Sequence, residues 1–168
     1  RGYNNIACMY LAKGNLSEAM TYLEKAEKIV GENSDILTNK GIIAARKGQL
    51  SKAQKLFNDA NTTDNNQSVL DIRKGEYTKA ARFYKNRKSF NATLAQLLNG
   101  NNSVNCNENT AACSYLNAIA NARSGNNDAA ISSLENAINA DASYKSEAVK
   151  DLEFVNLRTN ETFIALTK

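Results

Sequence analysis

Histidine is absent from all 168 residues, and so is proline. Without histidine the chain lacks the usual general base near neutral pH and the commonest metal ligand, and a cysteine nucleophile would lack its usual partner. Every glycine stands isolated, so no glycine-rich phosphate loop is present. No apolar run approaches the roughly 18 residues of a membrane span, and no basic-then-apolar signal segment opens the chain at Arg1. The cysteines are few: Cys8, Cys106 and Cys113. An odd count at this low density argues against a disulfide-stapled scaffold. On one continuous helix Cys106 and Cys113 would stand about 10.5 Å apart, beyond the roughly 7 Å Cα limit of a disulfide. Cys106 falls in a loop, which leaves that bond open, and the plainer expectation is three small apolar fillers. A net charge of +4, read as dispersed, gives no reason to expect nucleic acid. Together these gaps predict a noncatalytic chain with no cofactor and no metal.

What the chain has is a recurring half-unit. It appears as KGNLSEAMTYL (13–23), KGQLSKAQKLF (47–57), KGEYTKAARFY (74–84) and SGNNDAAISSL (124–134). Each copy sets a glycine, an alanine five residues later and a large apolar residue four beyond that. The first copy follows an amphipathic stripe of Tyr3, Ile6, Ala7, Tyr10 and Leu11 at helical spacing. Ala19, Tyr22, Leu23, Ala26, Ile29 and Val30 continue it on a second helix, ended by Gly31. Asn33-Ser34 caps a third helix that runs to Gly48, and a fourth spans about residues 50–60. Further on, helices are expected near 66–74, from Tyr77 to Tyr84, at 90–99, 110–123, 128–140, 145–151 and 161–166. Residues 101–109 are polar and are expected to form a turn or loop.

These residues resemble the tetratricopeptide repeat, whose pattern is W-x2-L-G-x2-Y, then A-x3-F, over about 34 residues. The first unit supplies Tyr3, Ile6, Ala7, Tyr10, Ala19, Leu23 and Ala26; the second supplies Leu37, Gly41, Ala44, Ala53, Phe57 and Ala60. Lys40 departs from the expected leucine, and Asp71 sits where the pattern wants an aromatic. Gly14 and Gly48 are 34 apart, the family period. The resemblance implies an all-α, right-handed superhelical solenoid of antiparallel helix pairs with C-terminal capping helices. Over 1–168 it implies a single repeat domain, with units near 2–31, 34–61, 66–87, 90–109 (degenerate) and 110–140, and a cap at 143–168. Tyr3, Tyr10, Tyr22, Tyr77 and Tyr84 fall on packing positions, so core is expected there rather than a stacking platform. Phe154, Leu157, Phe163 and Leu166 are expected to cover the last repeat.

In such arrays the first helix of each pair lines a concave side where extended peptides dock. The expected surface is Asn4, Asn5, Asn39, Arg46, Arg73 and Arg123. The three arginines share one repeat position, two residues before a turn glycine. They suit capture of an acidic or C-terminal peptide segment. The competing explanation is that a cation at a helix C-terminus gains about 0.3–1 kcal/mol from the dipole whatever the function. Of the family's clamp for a C-terminal carboxylate only Asn39 is in place, which disfavours chaperone tails. The implied function is a protein-interaction scaffold; the alternative is a regulatory or enzyme-associated module sensing a small polar molecule. Ile6 and Tyr10 have no preceding repeat to pack on, so either more chain upstream or self-association through the N-terminal helix is a further expectation. The Asn-rich, Pro-free composition and the DLEFVNL ending resemble repeat regions of bacterial cell-envelope proteins, implying the periplasm or outer membrane rather than the cytoplasm.

Overall fold

The computed structural model describes residues 2–62, 64–106 and 110–168. Among them there is no strand. Two compact units, Arg1–Ala80 and Ala81–Lys168, divide the chain. The N-terminal unit holds α1 (Gly2–Ala12), α2 (Leu16–Val30), α3 (Ser34–Arg46), α4 (Leu50–Asp59), α5 (Asn65–Arg73) and the start of α6 (Tyr77–Phe83). The C-terminal unit holds α7 (Phe90–Leu98), α8 (Ala111–Arg123), α9 (Asn127–Ala140), α10 (Tyr144–Lys150), a 3-10 helix (Leu152–Leu157) and α11 (Glu161–Thr167).

The glycine spacing turns into one repeated reversal. Gly14 and Gly48 have φ of 76° and 75°, a left-handed conformation that costs a Cβ-bearing residue roughly 1–2 kcal/mol. In both turns the residue after the glycine donates its N–H to the carbonyl five positions back, Asn15 to Tyr10 and Gln49 to Ala44, each at 2.9 Å. That bond is the helix-ending Schellman closure. Asparagine then starts the next element. Asn15 accepts from the Glu18 N–H at 3.2 Å and Asn33 from the Ile36 N–H at 3.1 Å. Asn160 does the same for α11, accepting from the Thr162 N–H at 2.9 Å, in keeping with the favour of asparagine at N-caps.

Small residues mark the helix crossings, as expected. Ala7, Ala19 and Ala53 are each fully buried. At Gly41 an added Cβ would sit 2.6 Å from Cδ1 of Phe57, so the ring of Phe57 occupies the space a side chain would need. Lys40, the departure from leucine, bonds Glu27 at 2.6 Å across α2 and α3. An ion pair thus stands where the pattern had apolar contact.

Three expectations need correction. Tyr3 is 40 % exposed rather than core, while Tyr84 is buried and Tyr10 and Tyr22 stack half-buried at 5.4 Å. Ile29 and Val30 are 70 % and 56 % exposed. They lie on the last turn of α2, which is a fifteen-residue helix where α4 has ten residues. The cysteines are not three fillers. Cys106 and Cys113 are disulfide-bonded with Cα atoms 5.7 Å apart, and Cys8 is exposed. Cys106 lies in non-helical chain ahead of α8, so helical spacing never separates the pair. The stretch 101–106 carries no helix, as expected; 107–109 fall outside the described residues.

The C-terminal unit packs around the α8–α9 hairpin. Phe154, Leu157 and Phe163 are buried in one cluster with Ile119, Leu134 and Ile138. The ending therefore covers the last pair, with Leu166 partly buried against it. Most of DLEFVNL forms the 3-10 helix, which the sequence did not lead us to expect. Tyr115 holds it by donating its hydroxyl to Asp151 at 2.9 Å while its ring meets Phe154 edge-on at 5.6 Å.

Candidate interaction surface

On the first helices of the N-terminal unit, Asn4 and Asn39 come together. The Asn39 amide donates to the Asn4 side-chain oxygen at 2.9 Å and reaches the Cys8 sulfur at 3.5 Å. Asn5, one residue on, is exposed. Arg46 and Arg73 each donate one Nη1–H backward to a main-chain carbonyl. Arg46 bonds Leu11 and Arg73 bonds Ala45, the latter at 3.0 Å. Both carbonyls lie three residues before a turn glycine, so the contact is one brace repeated. Each guanidinium adds a second bond to a carbonyl at the C-terminal end of the preceding pair's first helix, one that already accepts the N–H of its own turn glycine at 3.1 Å. Of its five N–H groups it spends one, and both arginines are otherwise exposed. Arg123, in the C-terminal unit, pairs instead with Glu153 at 2.8 Å. Thus Asn4 with Asn39, and Arg46 and Arg73 by one geometry, form a repeated pattern in the N-terminal unit. Arg123 belongs to a different arrangement.

Two features escaped the sequence reading. Asp71, at the aromatic position, is buried with a side chain 3 % exposed, and it accepts from Gln67 at 2.9 Å and Lys79 at 3.2 Å. The Asp71 bond chiefly, and a second bond to Glu76, hold Lys79 charged above the usual lysine range. The second feature is cavity space. In the N-terminal unit a recess of about 570 Å³ is lined chiefly by Tyr3, Ile6, Ala26, Ile29, Val30 and Ile36. In the C-terminal unit two recesses of about 390 and 420 Å³ adjoin along α7, with Lys85, Arg87 and Lys88 in their walls. A signal for these was present: from Tyr77 to Asn107 the chain has five basic residues and no acidic one.

Helix pairs closed by identical glycine turns and tied by side chains one pair apart define a helical-repeat fold. Within it, residues 1–29, the α1–α2 hairpin, match the tetratricopeptide repeat family, so the chain carries such a repeat there. Tetratricopeptide repeats generally mediate protein–protein interaction and typically serve as noncatalytic scaffolds. No curated protein matches the chain. Among the described residues no helix is long and apolar enough to cross a membrane.

Proposed function

We propose that this protein is a noncatalytic scaffold that binds a peptide segment of a partner protein on the face made by α1, α3 and α5. The observation that carries this reading is the repeated polar pattern on those helices. Asn39 and Asn4 meet at 2.9 Å, and Arg46 and Arg73 are held in one orientation with most of their N–H groups outward. A braced guanidinium loses less freedom on binding, and its planar fork matches a carboxylate. The partner segment is acidic or ends in a free carboxylate, with Asn4, Asn5 and Asn39 meeting its backbone. Arg123, spent on Glu153, plays a secondary part. Self-association through α1 belongs to the same reading, since Tyr3, Ile29 and Val30 leave apolar surface at the recess beside it. The lining of that recess is chiefly apolar, with Asn4, Asn33 and Asp35 beside it, which favours an apolar side chain of a partner over a small polar molecule there.

The test is binding to an array of acidic and carboxyl-terminal peptides, with Asn39→Ala/Arg46→Ala compared against the parent. We expect about a tenfold loss of affinity in the double variant at unchanged helix content, growing weaker still as salt rises. Undiminished binding would remove the face from consideration and leave the arginines as braces alone.

A further inference from the structure

The C-terminal unit carries a second, differently built groove. Its two recesses share Lys88, Thr93 and Asn105, so they are one elongated trough along α7. One wall is the segment Tyr84–Ser89, which reads YKNRKS. Among the described residues neither Lys85 nor Lys88 has an ion-pair partner. The Arg87 guanidinium lies 4.4 Å over the Phe83 ring centroid. That contact uses the flat of the guanidinium and leaves its N–H edge for an acceptor. No aspartate or glutamate is among the described lining residues.

The opposite wall is polar and fixed. Asn101, Ser103 and Asn105 supply two amides and a hydroxyl, and Asn101 accepts from the Ser103 N–H at 3.1 Å, bending the chain. Its end is tied by the Cys106–Cys113 bond to α8, whose first turn lies in the same lining. That helix, thirteen residues long and capped by Thr110, adds the positive end of its dipole. Three cations without a carboxylate partner among the described residues, two amides and a helix start therefore line one trough.

We propose that this trough binds an acidic peptide segment, distinct from the ligand of the first-helix face. The cations take the side-chain carboxylates, and the amides of Asn101 and Asn105 take the peptide backbone. A peptide is favoured over a single-stranded nucleic acid because no aromatic ring among the described lining residues is free as a stacking platform. Tyr84 is only 2 % exposed, Phe83 is covered by Arg87, and Phe90 packs against the buried cluster.

The probe is a fluorescein-labelled hexaglutamate peptide titrated with the full chain, read by anisotropy, against a thymidine oligonucleotide of equal length. We expect saturable binding to the peptide that falls with salt and that Lys85→Glu/Arg87→Glu/Lys88→Glu weakens by about tenfold or more. The titration is run in an Asn39→Ala/Arg46→Ala background, which weakens the first-helix face and leaves every residue of the trough in place. This separates the trough from the first-helix face. Should the triple reversal lose helix content, Lys85→Gln/Lys88→Gln replaces it, with about a threefold loss expected. No saturable binding of the peptide, binding indifferent to both sets of substitutions, or an oligonucleotide that binds as tightly as the peptide would each overturn the proposal.

Discussion

At the scale of single residues, Gly41 and Phe57 form a lock whose parts are unequal in cost. Alanine at 41 gains about 1 kcal/mol of helix propensity over glycine. Its Cβ, 2.6 Å from Cδ1 of Phe57, forces the ring to move, and overpacking of this kind costs about 1–3 kcal/mol. Gly41→Ala is therefore expected to lower stability slightly, and Phe57→Ala, which empties the site, to lower it by about 3–5 kcal/mol. In a Phe57→Leu background Gly41→Ala should cost less than it does alone, a coupling that urea unfolding of the four proteins would measure. Tyr115 gives a pH signature. Burial, then the nearby Asp151 carboxylate, pushes its phenol well above the ordinary tyrosine value. The folded state favours the neutral phenol, so this stabilisation is complete below about pH 10 and is lost as pH rises beyond it. Tyr144 shifts the same way, mainly through burial. Urea midpoints of the C-terminal unit should fall above about pH 10, and Tyr115→Phe should flatten that fall at a neutral-pH cost of about 1 kcal/mol.

At the scale of elements, α5 and α6 are joined by a buried acid and an exposed base. The Asp71 side chain is 3 % exposed and that of Lys79 58 %. Removing the base strands a buried charge, while Asp71→Asn keeps a partner for Gln67. Lys79→Ala should therefore destabilise more than Asp71→Asn, by about 1–3 kcal/mol after discounting for Lys79's exposure. Thermal melts of both variants would read the order. The same pair shows what a sequence reveals. Features set by backbone conformation and periodicity were legible: the glycine turns, the asparagine caps and the buried alanines follow from local spacing. Asp71 read as a defect because its compensation comes from Gln67 and Lys79, and propensity patterns carry no record of such pairing. The arginine braces were hidden for a related reason. Their register was visible, but each acceptor is a main-chain carbonyl in the preceding pair. Of the 3-10 helix only the covering role of Phe154 and Leu157 was expected, because Tyr115, far upstream, is what holds Asp151 and the ending in place. The basic trough was missed by averaging charge over the whole chain instead of following it along the sequence.

At the scale of the molecule, two units carry different dependences. The C-terminal one alone contains the disulfide, which closes a loop with a sequence separation of 7. Chain entropy for so short a loop gives it about 2–3 kcal/mol. Mild reduction should therefore raise hydrogen exchange across α8 and α9 while leaving α3 and α4 unchanged, resolved by mass spectrometry of peptides from each unit. Equal deprotection of both would mean that the units open together. In a reducing compartment the wall of the trough would lose its tether and the N-terminal unit would keep its braces. Those braces all point one way, from a later pair to an earlier one, and that gives the chain a calendar. Arg46 reaches its acceptor across 35 residues. At a synthesis rate of about 5–20 residues per second, the Leu11 carbonyl is made roughly 2–7 s before its arginine exists. During that interval it has only the Gly14 N–H of its own turn, and the first pair stands finished in outline but not yet fastened; in the N-terminal unit each new pair, on arrival, fastens the one before.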